Sequence, residues 1–304
     1  MLYIPPPQTE KTALRAISRR AGLALLAVCA LQLGVSLAAV MLQRRLNLGG
    51  SAWFHLMAVL SGMTVLTGAV AGRELFRGRV QQARNKKAGA GECAALVITG
   101  AALCMAGNLV GALVEQMAGQ AGIEFQGGPQ PPQPQSLSGF LLMLLTMAVL
   151  PAVAEEWLLR GVLLPTLQPF GDGFAIACTA ALFALLHQNM EQAPMAFVSG
   201  LALGWAYVRS GRLAVPMAVH LWNNAAAVAI LLLPAAAVNL YGLALGMLGM
   251  VSLFVLYLRR PAPQKIMCEM PAGRRASNFF FGSPAMVLAL IYFVVIIVLN
   301  TRVG

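Results

Sequence analysis

Charged residues are scarce in this sequence. Asp, Glu, Lys and Arg make up only 10% of the 304 residues, whereas 59% are hydrophobic. Apolar runs long enough to cross the roughly 30 Å hydrocarbon core of a bilayer recur along the whole chain. This composition excludes a soluble globular core. It predicts an all-α fold, a polytopic helical membrane protein with about eight or nine transmembrane helices.

Cysteine and metal-binding motifs are also poorly represented. The five cysteines show no Cys-x-x-Cys spacing, which excludes a disulfide framework or a thiolate metal site and leaves them as packing residues: Cys29, Cys93, Cys104, Cys178 and Cys268. The chain also has no His-Glu-x-x-His segment, so a zincin-like site has no support.

Acidic residues number only ten, against 21 basic ones, and the net charge is +11. The basic residues cluster in short loops between apolar runs, which indicates membrane orientation and argues against nucleic-acid binding. We predict a cytoplasmic N-terminus, with segments 73–92 and 259–278 in the cytoplasm and 115–137 outside. Under this topology only Arg44, Arg45 and Arg302 lie outside. No organelle signal is evident, so we expect a multi-pass protein of the bacterial cytoplasmic membrane.

The apolar runs predict nine spans, of which the fifth and sixth are short and are expected to tilt or to end inside the protein. A count of eight is the alternative. The predicted spans are 22–43, 52–71, 93–114, 138–160, 173–188, 194–208, 213–233, 240–258 and 279–300. We divide the chain into N-terminal spans with a basic loop (1–137), a motif-bearing core (138–235) and C-terminal spans (236–304).

Two adjacent carboxylates, Glu155 and Glu156, lie near the inner end of the fourth apolar run. A charge within a bilayer helix costs about 2.5–3.5 kcal/mol or more, so the pair requires partners or a function. Arg160 follows Glu156 by one helical turn and shares its face, which leaves Glu155 unpaired. Alternatively, Arg160 reaches the interface from a helix end and both carboxylates contact headgroup water.

Two of the three histidines follow in the next apolar runs. His187 ends the segment that starts at Phe183, and His220 precedes Asn224 by four residues. A single histidine in a membrane helix is commonly a packing or hydrogen-bonding residue. His55, beside Trp53 near the outer end of a span, is predicted to be interfacial.

Together these carboxylates, imidazoles and the amide suffice for hydrolytic chemistry. In one mechanism a buried carboxylate deprotonates a water, an imidazole holds that water, and a second His with Asn224 stabilises the oxyanion. In the other, Glu155, His187 and His220 bind zinc, with an open position for water. The cofactor expectation is therefore none or Zn.

The ordered segments Glu-Glu-x-x-x-Arg (155–160), Phe-x-x-x-His (183–187) and His-x-x-x-Asn (220–224) resemble the three motifs of the CPBP family. This family contains CAAX prenyl endopeptidases and bacterial bacteriocin-processing or immunity relatives, and the resemblance covers about residues 138–230. It implies an intramembrane protease that acts on a peptide or a membrane-associated protein, with membrane lipid as its other partner. Both metal-dependent and metal-free mechanisms have been argued for the family.

By the same resemblance, Glu155 corresponds to the water-activating glutamate and His187 to its partner. His220 and Asn224 correspond to the oxyanion-side pair. Glu156 with Arg160 corresponds to the supporting pair, and Phe183 is a further structural support. We count Glu156 together with Glu155, His187, His220 and Asn224 as the predicted catalytic residues. We expect the motif helices to form a cavity that opens toward the inner face or laterally to lipid.

Two functions of other classes compete with proteolysis. Chains of Glu and His within spans also serve as proton relays, so a proton-coupled transporter or channel fits the same residues. A non-catalytic immunity or scaffold protein could keep the family fold and act by binding a partner.

Overall fold

The computed structural model describes residues 7–46, 50–76, 87–125, 131–259 and 274–303, which are almost entirely helical. Five stretches are long and apolar enough to cross a bilayer, and three further apolar helices are shorter. The predicted class, a polytopic helical membrane protein, is confirmed. The helices are Pro7–Leu46 (α1), Gly50–Leu75 (α2), Ala90–Gln120 (α3), Leu137–Leu144 (α4), Leu150–Glu156 (α5), Leu164–Leu167 (α6), Asp172–Leu186 (α7), Ala193–Ser210 (α8), Ala214–Ile230 (α9), Ala235–Leu258 (α10), Arg274–Phe281 (α11) and Pro284–Leu299 (α12).

Helices α4, α5 and α6 form one continuous rod, which we call the motif helix, Leu137–Phe170. Two π-helical turns, Leu145–Val149 and Trp157–Leu163, join the three segments. The prediction that this span ends at Arg160 was wrong. Each π-helical turn is followed by a proline in the first turn of the next segment, where the missing N–H breaks no essential bond. The rod therefore continues to Gly171, whose φ of 119° ends it.

The short fifth and sixth apolar runs form α7 and α8. With 15 residues, α7 is about 22 Å long. The two helices pack closely because residue 200 is a glycine: a Cβ there would lie 2.8 Å from the Ala180 Cα atom. The pair therefore forms a hairpin whose tip, residues 187–192, carries His187.

One end of the bundle, which we call the basic end, carries ionic contacts. Arg209 Nε donates to Glu92 Oε1 at 2.8 Å, and Arg212 Nε donates to the Ala88 carbonyl at 3.0 Å. The last turns of α2 and α10 accept hydrogen bonds from Arg20 and Arg209. Segments 77–86 and 260–273, which carry more of the predicted cytoplasmic charge, lie outside the described residues.

The opposite end, which we call the distal end, carries a small antiparallel strand pair, Ile123–Phe125 (β1) with Thr301–Val303 (β2). Helix α3 has 31 residues and is therefore about 45 Å long, so β1, which follows it, lies about this far from the start of the helix along the helix axis. The segment after α3 and the C-terminus therefore share one end, which agrees with their predicted placement on one side. Part of the predicted outer Gly/Pro/Gln segment, 126–130, lies outside the described residues. Which end faces the cytoplasm stays a prediction.

Candidate active site

The centre of the site is an ion pair within the motif helix. Arg160 Nη1 donates to Glu156 Oε1 at 2.7 Å, and both side chains are 0% exposed. The predicted pairing of these two residues, one turn apart, is present, and Arg160 does not extend to an interface. Glu156 Oε2 and Arg160 Nε have no hydrogen-bond partner although both are buried in the described structure. An unpaired buried polar atom is costly, and ionisable residues within membrane helices commonly have a functional role.

Two further contacts hold Arg160 in place. Its Nη2 donates to the Gly200 carbonyl of α8 at 3.0 Å. Its guanidinium carbon lies 4.9 Å from the centre of the Phe183 ring, a cation–π distance. The ion pair therefore links the motif helix to the α7–α8 hairpin, which carries His187.

His220 lies between the two glutamates. Its Nδ1 is 3.0 Å from Glu156 Oε1, and its Nε2 is 4.0 Å from Glu155 Oε2. Because Glu156 already accepts from Arg160 as a carboxylate, we assign the hydrogen to Nδ1, which leaves Nε2 on the Glu155 side. Glu155 retains 22% of its side-chain exposure. The two adjacent carboxylates therefore differ as the helix geometry predicted: Glu156 is paired and enclosed, and Glu155 is accessible.

His187 is oriented by its own helix. Its Nδ1 is 2.8 Å from the Phe183 carbonyl oxygen, an acceptor, so the hydrogen is on Nδ1 and Nε2 has a free lone pair. The Phe183 ring packs edge-on against His187 at 4.9 Å and against His220 at 5.6 Å. Phe183 thus contacts both imidazoles as well as Arg160.

Asn224 is oriented by a carbonyl of the motif helix. Its Nδ2 donates to the Met147 carbonyl at 3.1 Å. In an α-helix this carbonyl would accept from residue 151, but Pro151 has no N–H. The proline therefore leaves the Met147 carbonyl oxygen available as an acceptor, and the hydrogen bond to this oxygen orients the Asn224 amide. A second N–H on the same nitrogen is left for another acceptor.

A cavity of about 590 Å³ adjoins these residues. Glu155, His187, His220 and Asn224 line it, whereas Glu156 and Arg160 do not. The volume is within the usual range of about 300–1,000 Å³ for ligand sites. The lining residues are Phe54, Ala58, Ser61, Gly62, Val65, Cys104, Asn108, Thr146, Met147, Pro151, Glu155, Phe183, His187, Asn189, Gln192, Met195, Ala196, Ser199, Leu203, His220, Asn223, Asn224 and Ala227.

Several amide side chains at the cavity were missed by the sequence analysis. Asn223 donates to Asn224 Oδ1 at 3.3 Å and lines the cavity, as do Asn108, Asn189 and Gln192. Asn223 and Asn108 stand out as amides within apolar runs, which was the available signal. The other two lie in the short hairpin tip, where polar residues are ordinary.

His55, which the sequence predicted to be interfacial, is enclosed by neighbouring helices. It is buried at 8% exposure, and its Nδ1 is 3.1 Å from Thr146 Oγ1. The Thr146 hydroxyl donates to the Leu142 carbonyl at 2.9 Å, so its oxygen can accept from His55. This contact ties α2 to the first π-helical turn, and its partner on another helix could not be read from the local sequence.

The zinc alternative does not fit this geometry. Within the ranges that the structure describes, no group of three His, Cys, Asp or Glu side chains is placed to hold a metal ion. The predicted trio of Glu155, His187 and His220 is therefore not assembled as a metal-ligand set.

The fold and the cavity define a class, a polytopic helical membrane protein whose helices enclose a cavity lined by carboxylate, imidazole and amide side chains. A family model described as type II CAAX prenyl endopeptidase Rce1-like matches residues 137–226. This match covers the segment that carries the three motifs, and it confirms the resemblance to the CPBP family seen in the sequence. Searches among curated proteins and among solved structures gave no match.

Proposed function

We propose that this protein is an intramembrane endopeptidase that hydrolyses a peptide bond with a water molecule activated by Glu155. The observation that carries the proposal is that the two adjacent glutamates have different surroundings at one wall of the cavity. Glu155 lines the cavity, while Glu156 is withdrawn into contacts with Arg160 and His220. An accessible carboxylate in apolar surroundings is suited to act as a general base.

In the proposed reaction Glu155 takes a proton from the water as its oxygen attacks the carbonyl carbon of the scissile bond. His187 Nε2 has a free lone pair toward the cavity and holds this water. The C–N bond then breaks, and Glu155 returns the proton to the leaving nitrogen. Every atom in the products comes from the water and the peptide.

The negative charge on the carbonyl oxygen requires donors. The second N–H of Asn224 is available for this purpose, and His220 supplies an N–H from Nε2 when it carries a second proton. Glu156 accepts the Nδ1 hydrogen of His220 and so holds the ring with Nε2 on the Glu155 side. Glu156 and Arg160 thus act as positioning residues, although the sequence analysis had placed Glu156 in the catalytic set.

Comparative peptidomics tests the proposal. Membranes that carry the wild type should contain cleavage products that are absent with Glu155→Ala, and identical peptide sets would contradict it. Glu155→Gln in proteoliposomes separates the alternatives. A transporter would lose a pH- or potential-driven flux, a protease would lose only cleavage, and an immunity or scaffold protein would lose neither.

A further inference from the structure

We infer that the cavity opens toward the extracytoplasmic side of the membrane. If Glu155 acts as proposed above, the substrate is then a peptide segment presented on that side, such as the outer flank of a membrane protein or an exported polypeptide. The sidedness itself depends only on where the cavity lies within the bundle and on the distribution of charge.

Three helices of known direction locate the cavity. Helices α3 and α9 start at the basic end, and their lining residues begin only at Cys104 and His220 and continue toward the distal end. Helix α2 runs the other way, and its lining residues end at Val65, ten residues before Leu75. All three helices therefore place the cavity in the distal half of the bundle.

The rise per residue of each helix gives the distance of the lining residues from the basic end. At 1.5 Å per residue, His220 lies about 9 Å from the start of α9, and Ala227 lies about 20 Å from it. Asn108 lies about 27 Å from the start of α3. His220 thus lies near the bottom of the cavity, and the cavity walls extend from it toward the distal end.

The other half of the bundle is filled. Below the glutamates the motif helix buries Leu159, Leu163 and Leu167 at 2% exposure or less, in the core shared with α7 and α8. A Cβ on Gly161 would lie 3.4 Å from the Leu213 side chain. Among the described residues, this packing fills the space between the basic end and Glu155.

The distribution of basic residues indicates which end of the bundle faces the cytoplasm. The basic end holds Arg20, Arg209 and Arg212, whereas the residues that line the cavity include no Lys or Arg. Loops rich in Lys and Arg remain in the cytoplasm. The filled half therefore faces the cytoplasm and the cavity faces outward. The expectation of a mouth at the inner face is incompatible with this orientation.

The side chains that line the cavity also indicate the chemical character of the substrate. Its amides, among them Asn108, Asn189 and Asn223, can donate to and accept from a peptide backbone, and Phe54 and Met195 add apolar contacts. Among the described residues that line the cavity, Glu155 is the one Asp, Glu, Lys or Arg. These properties fit an extended, uncharged stretch of polypeptide.

Cysteine accessibility in oriented vesicles tests the inference. In a full-length background without native cysteines, Ala58→Cys and Ala227→Cys place thiols on facing cavity walls, and Lys87→Cys reports on the basic end. We expect a membrane-impermeant maleimide to modify both cavity thiols in right-side-out vesicles and to lose this reaction in inside-out vesicles. Lys87→Cys should show the reverse.

Other results would overturn the inference. Reaction of the cavity thiols only in inside-out vesicles would put the mouth in the cytoplasm, and reaction from both sides would indicate a channel. Reaction only after solubilisation would indicate a mouth that opens to lipid. Repeating the labelling with Glu155→Gln separates the two proposals, since sidedness must persist even if no proteolysis is ever found.

Discussion

The two halves of the bundle contrast in what they bury. The half next to the basic end has a continuous apolar core and makes its ionic contacts at the rim, as in Arg209 with Glu92. The distal half encloses a cavity lined by Glu155, two histidines and several amides. The buried Glu156–Arg160 pair lies at the boundary between them. We therefore expect stability to depend mainly on the half next to the basic end and the proposed chemistry on the distal half, so that a mutation affects one or both according to its position.

The largest expected effect is that of Glu155→Gln. The proposed general base is removed without a change in shape, so kcat should fall by about 10²–10⁴-fold. Thermal stability in detergent should stay at the wild-type level, because this side chain is accessible and is not part of the buried pair. Glu156→Gln is the matched control, and it should lower both stability and cleavage. Equal losses of stability in the two variants would remove the distinction between the glutamates.

His220→Ala should lower kcat by about 10²–10³-fold, since it removes a proposed oxyanion donor. His187→Ala should also be severe, and combining either change with Glu155→Gln should add little, because residues that act as one unit show non-additive losses. Cleavage of an identified substrate by purified protein provides the measurement. Near-wild-type cleavage by His220→Ala would show that the oxyanion assignment is wrong.

Arg160→Ala should act mainly on stability. It leaves Glu156 as an uncompensated charge, and breaking a buried pair costs about 3–5 kcal/mol. Arg160→Lys keeps the charge but cannot bond Glu156 and the Gly200 carbonyl with one planar group. The expected order for both Tm in detergent and cleavage is wild type, Arg160→Lys, Arg160→Ala. Full thermal stability without cleavage in Arg160→Ala would place this residue among the substrate-binding or catalytic groups.

Asn224→Ala should have a smaller effect. It removes one proposed oxyanion donor and the hydrogen bond to the Met147 carbonyl, and the net contribution of such a bond to stability is about 0.5–1.5 kcal/mol. Cleavage should fall less than in His220→Ala. Asn223→Ala, which changes the neighbouring amide but keeps the contact with the motif helix, serves as the control. A larger loss of cleavage in Asn223→Ala would transfer the donor role to that residue.

Glu92→Gln, at the basic end, should have the smallest effect. Its ion pair with Arg209 retains 28% and 15% exposure of the two side chains, and exposed pairs typically contribute about 1 kcal/mol or less. Tm should shift slightly and the cleavage rate at saturating substrate should not change. A clear loss of cleavage would show that the two halves are coupled.

The sequence alone predicted the class of protein and identified the residues of the three motifs. Hydrophobic run length predicted a helical membrane protein because a bilayer excludes other open backbone structures. The spacing of Glu156 and Arg160 predicted their contact, since residues four apart share a helix face. The same helical geometry separated Glu155 from Glu156. Basic residues at 20, 209 and 212 indicated one common end, where the structure places them.

Only the tertiary structure decided how the motifs meet. The Glu156–His220 contact joins residues 64 positions apart, and the Asn224–Met147 contact joins residues 77 apart. Such pairs depend on helix packing, which local spacing does not encode. The burial of His55, the continuation of the motif helix past Arg160 and the distal position of the cavity have the same origin. Each is set by contacts between helices, such as Thr146 with His55, and by π-helical turns that accommodate prolines within the rod.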